Sequence, residues 1–135
     1  MATPLQLNSA CGPCPAALDA LRQADRSRYP DPAYTALHAR LAAFHGVPAP
    51  RIVLAASASE FIFRITAFAA RQGTHGVAPP SHAYGDYAAA ARAWGLEVLP
   101  QGGLAWACEP SSPLGQAERG VQARIAGGAT VVLDR

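Results

Sequence analysis

Through residues 51–135, five short apolar runs alternate with stretches of helical period, and that alternation leaves few architectures open. Residues 51–55, 75–79, 96–99, 104–108 and 130–133 read as strands. The stretches between them, apart from the short link 100–103, place apolar side chains three and four residues apart, as a helix facing a sheet does. Strands that alternate with helices argue for an α/β layered fold with a largely parallel sheet, covered on both faces. Residues 1–50 contribute two more helical stretches. In 15–26, Pro15 suits a first helical position and Ala17, Leu18, Leu21 and Ala24 share a face. Asp31 can cap the second helix, with Pro32 at its first position; Leu37, Leu41 and Phe44 share a face and Gly46 stops it. The chain divides on this reading into an N-terminal segment, 1–32, and a partial large domain, 33–135. The last strand has no successor, so a truncated domain with uncovered sheet edges, prone to aggregate, is expected.

Ligands of open α/β sheets bind outside the carboxyl ends of the strands, so the loops there carry the candidate chemistry. Four stretches qualify. Ala56-Ser57-Ala58-Ser59-Glu60 is a capping box opening a helix, and the free N–H groups and hydroxyls of such a turn suit a phosphate. An ordinary capped helix has the same signature. Pro79-Pro80-Ser81-His82-Ala83-Tyr84-Gly85-Asp86-Tyr87 leads into the next helix, where Tyr84 can stack on a planar ligand or simply pack. The periodicity puts Tyr84, Tyr87, Ala91 and Trp94 on roughly one side. Glu109-Pro110-Ser111-Ser112-Pro113 is a stiff loop that either aims a hydroxyl into a site or only connects. Asp134 ends a buried apolar strand, which is costly for a carboxylate without a partner. That partner is either an arginine, such as Arg135 or Arg64, or a cationic ligand group.

Other chemistries find little support. No GxGxxG or Walker loop is present. His38, His45 and His75 form no i, i+4 metal pair and take no role; His82, a lone loop histidine, could serve as a ligand or acid/base group, and no metal is expected. Cys11 and Cys14 form a CxxC without a second ligand pair, which reads as structural, and Cys108 reads as a small buried hydrophobe. A net charge of +2 without a basic run points away from nucleic acid. No apolar stretch approaches the ~18–20 residues of a membrane span, and no signal peptide is visible, so a cytoplasmic location is expected. All eleven basic side chains are arginines; the chain contains no lysine.

Taken in order, these stretches resemble the pyridoxal-phosphate-dependent enzymes of fold type I, most closely the class I/II aminotransferases of the histidinol-phosphate aminotransferase type. The resemblance runs over roughly residues 6–135. Leu7-Asn8 with Gly12-Pro13-Cys14-Pro15 is similar to the family's LNxNPxGPSP, with a residue missing. Arg28-Tyr29-Pro30-Asp31-Pro32 resembles its RYPDP, Ala56–Glu60 its NGSDE, Cys108–Gly115 its CNPNNPTG and Val131–Asp134 its VVxDEAY. The resemblance implies a three-layer α/β/α large domain that binds pyridoxal 5'-phosphate. It implies phosphate on Ala58 and Ser59, Tyr84 stacked on the ring, Ser112 near the ring hydroxyl and Asp134 on the pyridine nitrogen. Tyr29 would reach the cofactor phosphate of a partner subunit, which implies a homodimer. The activity implied is amino-group transfer between an amino acid and a 2-oxo acid. A threonine-phosphate-type decarboxylase shares these motifs, and a non-catalytic cofactor-binding remnant or a small α/β domain without cofactor are the other readings.

Departures from the family pattern are equally specific. Ser112 stands where the family has asparagine, and Arg135 where it has glutamate. The connection between Leu99 and Leu104 is much shorter than usual. No catalytic residue is assigned within this chain. The Schiff-base lysine, and the arginine that grips the substrate carboxylate, have no counterpart in it, so inactivity of these 135 residues alone is expected.

Overall fold

The computed structural model describes residues 13–111 and 115–135. They fall into two compact units, divided between Val53 and Leu54.

The first unit holds two helices and a 3-10 turn. Helix α1, Pro15–Gln23, begins on its proline, where a missing N–H costs nothing. Helix α2, Thr35–His45, starts later than its sequence suggests, because Tyr34 takes a left-handed conformation at φ 48°. Asp31 still serves the helix start: its Oδ2 accepts from the Thr35 N–H and its Oδ1 from the Ala33 N–H, each at 2.9 Å. Gly46, at φ 63°, ends α2 as expected, and its N–H turns back to the carbonyls of Ala42 and Ala43. Residues 51–55, read as a strand, form none. A 3-10 turn, Ala49–Arg51, runs into extended chain that finds no ladder partner among the described residues.

The second unit is a parallel α/β layer. Its order is α3 (Ala58–Arg71), β1 (Gly76–Ala78), α4 (Gly85–Ala93), β2 (Glu97–Val98), β3 (Leu104–Cys108), α5 (Val121–Ala126) and β4 (Thr130–Asp134). The four strands lie in the order β2-β1-β3-β4 and every pairing is parallel. Between β3 and β4 the register runs from Leu104 opposite Thr130 to Cys108 opposite Asp134.

Side chains alternate across the sheet and sort the helices into layers. Val77, Leu104 and Trp106 point to one face and bury against Ile62 and Ala69 of α3 and Tyr87, Ala90 and Ala91 of α4. Ala78 and Ala105 point the other way, toward a cleft shared with α5. Tyr87 and Trp106 stack at the centre of the first face, with ring centroids 4.9 Å apart and planes inclined by 26°.

Phe61, Ile65 and Phe68 lie three and four residues apart on α3, but only Ile65 of that row packs on the core cluster. Ile62, Thr66 and Ala69 are buried, while Phe68 stays 64% exposed. Apart from the charged side of Glu60, Arg64 and Arg71 the helix is largely apolar, so periodicity alone does not say which part of that broad arc the sheet takes. On α4, likewise, Tyr87, Ala90 and Ala91 are buried, whereas Tyr84 and Trp94 remain exposed.

The short link from β2 to β3 depends on two glycines. A Cβ on Gly102 would sit 2.5 Å from the Gly76 carbonyl oxygen, so the link passes directly against the backbone of β1. Only glycine permits that approach.

Candidate active site

The sheet's topology defines where a ligand belongs. From β1 the chain moves outward to β2, then returns to the other side of β1 to form β3. Between the carboxyl ends of β1 and β3, connections therefore leave in opposite directions, which opens a crevice. Helix α3 leads into β1 and α4 leads out of it, so the sheet packs against two helices whose N-termini lie at this same edge. Asp134 closes β4 there as well.

At the start of α3 the sequence builds an anion-ready turn. Ser57 is the N-cap, and its Oγ accepts from the Glu60 N–H at 3.2 Å. The Glu60 carboxylate reaches back to accept from the Ala56 N–H at 2.8 Å, completing the expected box one residue further out. The Phe61 N–H turns to the Ser57 carbonyl. Ala58 and Ser59 then keep N–H groups without an acceptor among the described residues, at the positive end of a 14-residue helix. The Ala56 N–H holds the Glu60 carboxyl below its ordinary range, against the opposing effect of burial and with help from the Arg64 guanidinium at 3.1 Å. A group of this kind stabilises the fold above its unfolded pKa, and that contribution disappears as pH falls through its lowered folded value. Glu60→Gln is expected to flatten the acid limb of stability below about pH 4.3. Ser57→Ala should cost about 1 kcal/mol at neutral pH. Thermal melts of both variants from pH 3 to 7 check this, and an acid limb unchanged in Glu60→Gln would count against it.

Asp134 finds its partner across the sheet face. The Tyr87 hydroxyl donates to Asp134 Oδ2 at 2.5 Å, joining residues 47 apart in sequence. Of the two partners the sequence left open, an arginine or a cationic ligand group, the first is not found: among the described residues, neither Arg64 nor Arg135 pairs with Asp134. Arg64 instead serves Glu60 and the Leu54 carbonyl. A phenol is the better partner here, because it satisfies a half-buried carboxylate without burying a second charge. Burial, and the adjoining Asp134 carboxylate, push the Tyr87 phenol well above its usual pKa, so it remains a neutral donor. Sequence reading missed this role for Tyr87, placing it only on the packed side of α4. Cys108, opposite Asp134 in the ladder, is half-buried, and its thiol donates to the Pro110 carbonyl.

Tyr84 is the N-cap of α4 and is 57% exposed. Tyr29, in the first unit, is fully exposed. Ser112 and Cys11 lie outside the described residues. His82 lines a cleft of ≈ 750 Å³ with Ser81, Ser111, Glu118, Arg119 and Arg124. A larger cleft, ≈ 810 Å³, runs along the α5 face from His75 to Gly128. Neither cleft is lined by Ser59, Tyr84 or Asp134. Their association rests on the shared sheet edge and on the α4 turn that separates Tyr84 from Tyr87. Among the described residues no group of histidine, cysteine or carboxylate side chains could hold a metal ion, and no helix is long and apolar enough to cross a membrane.

Neither a protein-family model nor a curated protein sequence matches the chain. Solved structures do. A protein from Erwinia carotovora atroseptica assigned as a histidinol-phosphate aminotransferase superposes with a TM-score of 0.64 at 24% identity, over 89% of this chain and 42% of that one. The L-threonine-O-3-phosphate decarboxylase of Porphyromonas gingivalis superposes with a TM-score of 0.65 at 20% identity, over 89% of this chain and 40% of that one. The chain thus spans about two fifths of the length of these structures. At such identities the likeness is one of architecture: this chain has the fold of the pyridoxal-phosphate-dependent enzymes of fold type I.

Proposed function

We propose that this chain is the cofactor-binding part of a pyridoxal-phosphate-dependent aminotransferase, which moves an amino group between an amino acid and a 2-oxo acid. The reading is supported by the likeness of fold, together with an anion-ready start to α3, an exposed ring at the start of α4 and a carboxylate at the end of β4. The donor set fits the group. The Ala58 and Ser59 amides suit a phosphate, the Tyr84 ring suits the face of a planar heterocycle, and Asp134 can accept from a protonated ring nitrogen. Pyridoxal phosphate, when bound, supplies an electron sink for a carbanion formed on the substrate. The protein's own part is to bind the phosphate at α3, to cover the ring with Tyr84 and to hold a proton on the ring nitrogen through Asp134. In a homodimer, the fully exposed Tyr29 would serve the neighbouring copy's phosphate. A threonine-phosphate-type decarboxylase is the second reading, supported by an equally good superposition on such an enzyme.

Titration of the chain with pyridoxal phosphate, followed by its absorbance, tests the proposal. Saturable binding that inorganic phosphate displaces is expected. Asp134→Asn retains an acceptor for Tyr87 but loses the negative charge, and should weaken binding about tenfold or more, the size of a hydrogen bond to a charged group. Binding that phosphate fails to displace, or that Asp134→Asn leaves unchanged, would refute it.

A further inference from the structure

We propose that Tyr87 is the positioning residue for Asp134, holding Oδ2 so that Oδ1 is the oxygen offered to a protonated ring nitrogen; this rests on the reading of Asp134 given above. Tyr87 is itself fixed: it is 1% exposed, stacked on Trp106 and anchored on α4, which packs against α3 and the sheet. Its hydroxyl therefore approaches Asp134 from a rigid base.

Asp134, by contrast, has little else to orient its side chain. It is the last residue of β4, at the edge of the sheet. Its backbone carbonyl accepts from the Glu109 N–H at 2.9 Å, which fixes the main chain but leaves the side-chain torsions free. Among the described residues only Tyr87 donates to the carboxylate. One oxygen is thus committed and the other remains an acceptor. A carboxylate restrained in this way meets its ligand with less rotational freedom to lose, which is how supporting hydrogen bonds act on the groups that do touch a ligand.

The test uses Tyr87→Phe, which keeps the stacked ring and removes only the hydroxyl. The first measurement needs no cofactor. Side-chain scalar couplings of Asp134, read by NMR, should show one χ1 rotamer in the native chain and averaging in Tyr87→Phe. The second compares pyridoxal phosphate with its carbocyclic analogue, in which carbon replaces the ring nitrogen. Tyr87→Phe should weaken binding of pyridoxal phosphate about tenfold and leave the analogue's binding unchanged. Added to Asp134→Asn, it should cause little further loss, as expected of two groups that act as one. A single Asp134 rotamer in Tyr87→Phe would overturn the proposal, as would equal losses for the two ligands. Absence of saturable binding by the native chain would overturn the reading of the site and with it the role of Oδ1, while the couplings would still decide whether Tyr87 holds the carboxylate.

Discussion

Trp106→Ala is expected to abolish or nearly abolish cooperative folding of the unit that spans Leu54–Arg135. Trp106 is 2% exposed, lies on β3 between two ladders and stacks on Tyr87. Removing a buried aromatic of this size costs about 3–5 kcal/mol, against a total of about 5–15 for a typical domain. The unit is small and its sheet has four strands, so it has little reserve. The loss is one of packing, because the indole N–H has no hydrogen-bond partner among the described residues. Trp106→Phe should therefore recover much of the stability. Urea denaturation followed by far-ultraviolet circular dichroism measures both. A midpoint unmoved in Trp106→Ala would mean that the core lies elsewhere.

Amino-group transfer by these 135 residues alone is expected to stay at the level of free cofactor. An enzymic amine holds the cofactor's carbonyl carbon and moves the proton at the substrate carbon. All eleven basic side chains here are arginines, which stay protonated at any working pH. The deficit is therefore the whole advantage of a positioned amine, and effective molarities for well-placed groups reach about 10⁵–10⁸ M. The direct measurement is chemical. After incubation with pyridoxal phosphate and reduction with borohydride, peptide mass spectrometry should find label at the α-amino terminus only. A labelled side chain would show that another group replaces lysine.

Local rules made some features legible and tertiary geometry hid the rest. Ser57 and Glu60 announced a helix start because a capping box is closed within four residues. The strands at 104–108 and 130–134 were legible because each is an apolar run bounded by turn residues, and their parallel pairing followed from the intervening helix. Residues 51–55 have the same composition, yet a strand exists only where a neighbour supplies hydrogen bonds, and among the described residues none does so. The side of α3 that meets the sheet was unreadable because Phe61 and Phe68 lie on one flank of the buried row and Phe63 on the other. Tyr87 and Asp134, 47 residues apart, meet only once α4 has docked, so nothing in either neighbourhood foretold the bond. That Asp134 ends a strand was legible in the apolar run before it, but not what holds its side chain.

The all-parallel ladder also governs how fast this unit can form. Gly76 pairs with Glu97, Val77 with Leu104 and Leu104 with Thr130. No two paired strands are joined by a hairpin, so each ladder must close a loop of roughly two dozen residues before its first bond is gained. Helices α3 and α4 can gain contacts early, because they are local, whereas the sheet has no local nucleus to grow from. Folding time should therefore be set by the search for register between β1 and β3. Gly102, which lets the intervening link lie flat against β1, shortens that search, so a side chain there would slow folding as well as strain the folded state.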